Sequence, residues 1–265
     1  MLFKLPFYKS SNNFQDEASR YSARANKLLY SSIDTCPNVS PGLIRLPIPL
    51  QSPYIYYEFL LDHYIEQTSS VLELGSGTGE FTRCLLQNSD EVYATDLSLP
   101  SLKLLKARFP GNNSLTIIQC DMESLPFMDE QMDYVVCAGA LSYADNNKVM
   151  DEIFRVLAPG GSFICVDSLN HNIIYKVNRF IHYLRSNRSY STLKRMPTLK
   201  LLDQYEKKFG SISVNYFGLF SWLTPLLLLA IPSGTVKLIM DSLDDFFMVK
   251  RNAFKFVMIA VKSGF

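Results

Sequence analysis

Gly75, Gly77 and Gly79 directly follow an apolar run in the string Val-Leu-Glu-Leu-Gly-Ser-Gly-Thr-Gly, residues 71–79. The run predicts a short buried strand, and 80–87 predicts a helix. A strand, a glycine turn and a helix start together present bare backbone N–H groups to a ligand. The spacing narrows the choice of ligand. A dinucleotide-binding G-x-G-x-x-G would need glycine at position 80, which here is Glu80. An acidic side chain in a first helical turn suits the helix dipole but repels a pyrophosphate. No Gly-Lys-Ser/Thr follows, so a P-loop is excluded. The loop reads as a seat for a nucleoside without phosphates.

Three further strand ends supply the rest of a pocket. A β-rich run from Val92 to Thr95 ends in Asp96, about 20 residues past the glycines, where a carboxylate accepts from ribose hydroxyls. A third run, 115–120, ends in Asp121 and Met122. The first suits an exocyclic amine and the second offers an apolar wall to a flat ring. A fourth run, 133–138, ends in the small residues Ala138, Gly139 and Ala140, which allow close approach of a ligand.

Elements must be arranged to bring these ends together. From Val71 the pattern alternates strand and helix over 71–74, 80–87, 91–95, 99–108, 115–119, 132–137, 146–157 and 162–166. Such alternation predicts an α/β fold, a doubly wound, mostly parallel sheet of seven strands with helices on both faces and ligands at the carboxyl ends of the strands. Later runs at 211–217 and 253–261 supply the last two strands, with a helix over 236–250 before the final one. Upstream, 14–30 and the Pro-led 53–67 read as helices.

The ordered strings LELGSGTG, VYATDLS, CDMESLPF, MDYVVCAGALSY and RVLAPGGSFICVD resemble those of the class I S-adenosylmethionine-dependent methyltransferases. The resemblance is good over 55–170 and looser beyond. It implies S-adenosylmethionine as cofactor and a Rossmann-like fold whose last strand runs antiparallel. Glu73, Gly75, Ser76, Gly77 and Gly79 would line the methionine and ribose portion. Asp96 and Leu97 would flank the ribose, Asp121 and Met122 the adenine, and Ala138 the methionine end. Tyr21 would belong to an N-terminal lid. The implied organisation is a lid or extension over 1–54 and a methyltransferase domain over 55–265. Insertions at 168–210 and 217–250 would shape the acceptor pocket.

The chain is nearly neutral, with 26 Lys and Arg against 25 Asp and Glu, so global charge predicts no nucleic-acid partner. Five cysteines lack any CxxC pair and three histidines lack ligand spacing, so reduced buried thiols and no metal are expected. The first residues are interrupted by Lys4, Pro6 and Lys9, which is unlike a signal peptide and predicts a cytoplasmic protein.

Methyl transfer from a sulfonium chiefly needs alignment and dryness, with a general base for a protonated acceptor. His171, just past the fifth strand, is the candidate base, and Tyr143, just past the fourth, is a candidate for orienting the acceptor. Between 171 and 208 lie nine basic residues and two acidic ones. Arg179, Arg185, Arg188 and Arg195 could grip a phosphate there by forked hydrogen bonds. The wording of that segment resembles polysaccharide-cluster methyltransferases, which implies a sugar acceptor on a phosphate-bearing or lipid-linked glycan intermediate. A hydrophobic acceptor, quinone-like or polyketide-like, is the alternative, and a non-catalytic donor-binding scaffold the remote one. Residues 219–231 are strongly apolar, but Pro225 and nearby Gly218, Pro232 and Gly234 break the run. That predicts a buried or interfacial helix rather than a membrane span, with peripheral contact to the inner membrane surface.

Overall fold

Alternate residues of each central strand point to opposite faces of the sheet, and here both faces are apolar. In a computed structural model describing residues 48–184, 190–247 and 252–264, the strands are β1 (Ser70–Leu74), β2 (Glu91–Asp96), β3 (Leu115–Gln119), β4 (Met132–Ala138), β5 (Leu157–Ser168), β6 (Gly210–Phe217) and β7 (Lys255–Lys262). They form one sheet in the order β3-β2-β1-β4-β5-β7-β6. The first five pair in parallel, and β7 lies antiparallel between β5 and β6. The expected seven-stranded, mostly parallel sheet with an antiparallel last strand is what the chain forms.

The helices follow from where each apolar face is buried. Leu72, Val135, Phe163 and Met258 join Val149 and Ile153 of α4 (Asn146–Val156) in one core. Leu201, Leu202, Tyr205 and Phe209 of α7 (Leu199–Phe209) complete it. The neighbouring strand residues Val71, Val136, Ile164 and Val257 face the other way. They pack on Tyr57, Leu60 and Leu61 of α1 (Ser52–Tyr64) and on Cys84 and Leu85 of α2 (Thr82–Asn88). α3 (Leu99–Arg108) flanks β2 and β3. Cys137 and Cys165 are register partners in the buried centre and are free thiols.

Several expectations are adjusted. The helix after the glycine loop starts at Thr82, so Glu80 lies in the preceding turn, where it accepts from Thr78 Oγ1 at 2.8 Å. α7, placed by the sequence within an acceptor insertion, is an ordinary layer helix with its apolar stripe in the core. What remains of that insertion is α5 (Ile173–Leu184) and α6 (Tyr190–Arg195). Residues 219–231 do not form a buried helix. A 3-10 turn at Ser221–Leu223 leads into a single helical turn, α8 (Thr224–Leu227), because Pro225 opens it and the next helix, α9 (Ser233–Phe247), starts just after Pro232. Leu226 and Leu229 of this segment are exposed. Among the described residues no helix is long and apolar enough to cross a membrane.

Candidate active site

The strand-to-helix turn after β1 is held by backbone bonds and admits no side chain at its closest point. Gly75, Gly77 and Gly79 all have positive φ, and a Cβ on Gly75 would sit 2.5 Å from Ala140 Cβ. The turn is fixed to the second strand, with Ser76 N donating to Thr95 O at 2.8 Å and Thr95 Oγ1 donating to Glu73 O at 2.8 Å. From α3, Arg108 donates to Thr78 O at 2.7 Å. The cradle is therefore bare backbone braced from behind. Ser76 Oγ is buried and makes no hydrogen bond among the described residues, which leaves one polar group facing inward for a ligand.

Carboxyl groups ring this cradle. Glu73 is 4% exposed and accepts from Thr82 Oγ1 at 2.5 Å. Burial pushes its carboxyl up to about 8, with Glu80 and Asp96 adding repulsion. Asp96 accepts from Gly77 N at 2.9 Å and Ser98 N at 2.7 Å, which joins the loop to the end of β2. Burial raises its carboxyl above the ordinary range despite those donors. Asp121 accepts from Glu123 N at 2.9 Å and is also raised by burial. Among the described residues none of these three carboxyls forms an ion pair. Three desolvated acids without a bonded cation make a cradle complementary to a positively charged ligand. Met122 lies beside Gly75, its Cε 3.9 Å from the position a Cβ there would take. Leu97 O accepts from Gln119 Nε2 at 2.9 Å, which links the ends of β2 and β3.

A family of proteins described as methyltransferase domain matches residues 72–165, the span that carries this cradle. Residues 72–165 thus match a methyltransferase domain, a family match that covers the cradle and not the whole chain. An uncharacterized methyltransferase-like protein of Schizosaccharomyces pombe is 38% identical over 112 residues, 41% of this chain and 40% of that one. Demethylmenaquinone methyltransferase of Lactococcus lactis is 29% identical over 169 residues, 56% of this chain and 67% of its own. Among solved structures, geranyl diphosphate C-methyltransferase from Streptomyces coelicolor superposes with a TM-score of 0.61 at 16% identity, covering 96% of this chain and 99% of that one. The last likeness is one of fold. The chain spans less than half the length of the two Schizosaccharomyces pombe relatives, at 40% and 46%.

The structure places the other predicted residues unevenly around the cradle. Ala138 ends β4, and the following turn is pinned to β5 because Gly139 N donates to Val166 O at 2.8 Å. Tyr143 closes the 3-10 turn Leu141–Tyr143, and its carbonyl accepts from Arg195 Nη1 at 3.3 Å. Arg195 also weakly opposes the rise at Asp121, so its charge is felt at that carboxyl. His171 is exposed on the loop between β5 and α5. That loop meets the Arg195 segment through Asn170 N, which donates to Pro197 O at 2.8 Å.

Arg179 departs from the expectation of a phosphate-gripping arginine. It is 5% exposed, donates to Leu169 O at 2.9 Å, and packs its guanidinium over the Phe254 ring at 5.4 Å. Its position on α5 turns it toward the core, so it braces the chain after β5 instead of reaching for a phosphate. Tyr21, Arg185 and Arg188 lie outside the described residues.

Asp167 was not singled out by the sequence reading. It ends β5 nearly fully buried and accepts from Leu141 N at 3.0 Å and Ser168 N at 2.6 Å. Burial raises its carboxyl, while Lys255 and Arg179 oppose the rise. It holds the turn that carries Ala138 and Tyr143. The signal was present, since Asp167 closes its strand as Asp96 closes β2.

Proposed function

We propose that the chain transfers a methyl group from S-adenosylmethionine to an apolar small molecule bound where the carboxyl ends of β4 and β5 meet the amino end of β7. The acid-lined cradle after β1, whose three carboxyls form no ion pair among the described residues, carries this reading, because the donor brings both a sulfonium and an ammonium. Bound there, S-adenosylmethionine supplies a methyl group already activated by its positive sulfur. The bare glycine backbone admits the nucleoside, and the Ser76 hydroxyl meets one of its polar atoms. Asp96 takes the ribose hydroxyls, Asp121 the adenine amine, and Met122 one face of the ring. Glu73 gives up its proton as the ammonium arrives.

On the acceptor side, Tyr143 and Arg195 form the rim and Asp167 sets the rim's position. His171 removes a proton from a hydroxyl acceptor where one must be lost. A shallow open depression next to Lys255 is lined by Leu50, Pro53, Phe217, Met240 and Phe254, together with Asp241 and Asp244. Its lining is predominantly apolar. The inward Arg179 removes one of the phosphate-gripping groups that supported a sugar acceptor, and the Lactococcus lactis relative is named for a quinone substrate. An apolar acceptor of quinone-like or prenylated character is therefore favoured over a glycan.

Incubation with tritium-labelled donor and either a prenylated hydroquinone or a nucleotide sugar separates the two. The reading expects label in the organic extract from the hydroquinone. Label found only with the nucleotide sugar would overturn the acceptor assignment and leave the donor assignment standing.

A further inference from the structure

In most surface helices the apolar stripe faces the core and the polar side faces water. α5 is reversed. Its exposed residues include Ile173, Ile174, Val177, Phe180 and Ile181, at the i, i+1, i+4, i+7, i+8 spacing of a single helical face, with Ile173 75% and Phe180 53% exposed. Its packed side carries Tyr175, which donates to Gly218 O at 2.7 Å, and Arg179, which is tied to Leu169. These anchors hold the helix with its hydrophobic stripe outward. The Tyr175–Gly218 bond also ties α5 to the start of the segment that carries Trp222, Leu226 and Leu229, the last 83% exposed. An exposed apolar stripe of this kind marks a docking site.

Charge selects what docks. Residues 168–202 hold Lys176, Arg179, Arg185, Arg188, Lys194, Arg195 and Lys200 and no acidic residue, in a chain whose charges balance overall. Lys176, Lys194 and Lys200 are exposed. A second copy packed face to face would set like charges against each other. The first 47 residues carry six basic and three acidic side chains and are no better matched.

We propose that the outward face of α5 docks on an anionic lipid surface, with Ile173, Val177 and Phe180 entering the headgroup boundary and Lys176, Lys194 and Lys200 meeting lipid phosphates. A basic surface with a hydrophobic stripe has the character of an interfacial helix. The inference accords with an apolar acceptor reached from a membrane, but it rests on surface geometry and is read out without methyl transfer.

Flotation of the full chain with vesicles of phosphatidylglycerol and phosphatidylcholine, against vesicles of phosphatidylcholine alone, tests it. Binding at least tenfold stronger to the anionic vesicles is expected. The Ile173→Ser, Val177→Ser, Phe180→Ser triple variant should lose at least tenfold of it while keeping donor affinity, which shows that the variant folds. The Lys176→Ala, Lys194→Ala, Lys200→Ala variant should lose much of the anionic preference, since each basic residue near such a surface is worth roughly fivefold. Equal binding to both vesicles, no binding to either, or an unaffected triple variant would overturn the proposal. So would a dimer in light scattering that disappears in the triple variant without any vesicle binding.

Discussion

The two ends of the sheet's carboxyl edge are built by opposite means. At the β1–β3 end backbone N–H and C=O groups take part in most of the bracing. The glycine turn is bonded to β2, Asp96 is bonded to the turn, and the ends of β2 and β3 are linked through Gln119. At the β5–β7 end, side chains from two helices and from β5 itself do the bracing, through Arg179 on Leu169, Asp167 on Leu141 and Asp244 on Leu219 N at 2.8 Å. A pocket made of backbone tolerates little change and suits a ligand that never varies. A pocket made of helix-borne side chains can be altered residue by residue, which suits an acceptor that differs between relatives.

The contrast breaks most visibly at Gly75. Gly75→Val places a branched side chain at φ +65 and a Cβ within 2.5 Å of Ala140. We expect donor binding to be lost, a Kd raised at least about a hundredfold, together with a lower Tm. Retained affinity would show that the turn is not the donor seat. Next in size is Asp96→Ala. Loss of a charged hydrogen-bond acceptor costs about 2 kcal/mol, so the donor Kd should rise some thirtyfold by calorimetry, with the acceptor KM unchanged.

Asp167→Asn should act on the other half. Its amide replaces one acceptor by a donor facing Leu141 N or Ser168 N, so the rim turn shifts. We expect kcat to fall about tenfold with donor Kd within a factor of about three, a split that a general loss of fold would not produce. Arg195→Met is the mildest, raising the acceptor KM a few-fold and leaving donor affinity alone. A variant of the β5–β7 end that weakens the donor as much as Asp96→Ala would erase the distinction.

The same contrast decided what the sequence made legible. The glycine spacing, Asp96, Asp121 and small Ala138 follow strand ends in fixed order, so a one-dimensional pattern encodes a backbone-built pocket. The sheet followed from the same alternation, and α3 and β3 fall on the residues expected for them. The acceptor side was harder to read because its meaning lies in which way a helix faces. Arg179 and Ile173 sit on one helix, and composition alone made the arginine the outward residue. Only tertiary packing, with Tyr175 on Gly218 and Arg179 on Phe254, reverses it. In the same way Pro225 and Pro232 were read as breaking the apolar run enough to exclude a membrane span but not a buried or interfacial helix, whereas the helix there is a single turn.

Glu73 links the electrostatics of the cradle to its ligand. Its carboxyl is raised from 4.5 to about 8, so the folded protein holds that proton more tightly than the unfolded chain does. Stability of the ligand-free protein should therefore fall as pH rises from about 4.5 to about 8 and level off above, and Glu73→Gln should flatten that slope. An ammonium bound beside Glu73 draws the carboxyl back down and expels the proton. Calorimetric titration of S-adenosylmethionine at pH 7, repeated in buffers of different ionisation enthalpy, measures this directly. The account predicts saturable binding with net release of a proton, and release abolished in Glu73→Gln. Absence of binding at millimolar donor, or binding with no proton exchanged in either protein, would contradict it.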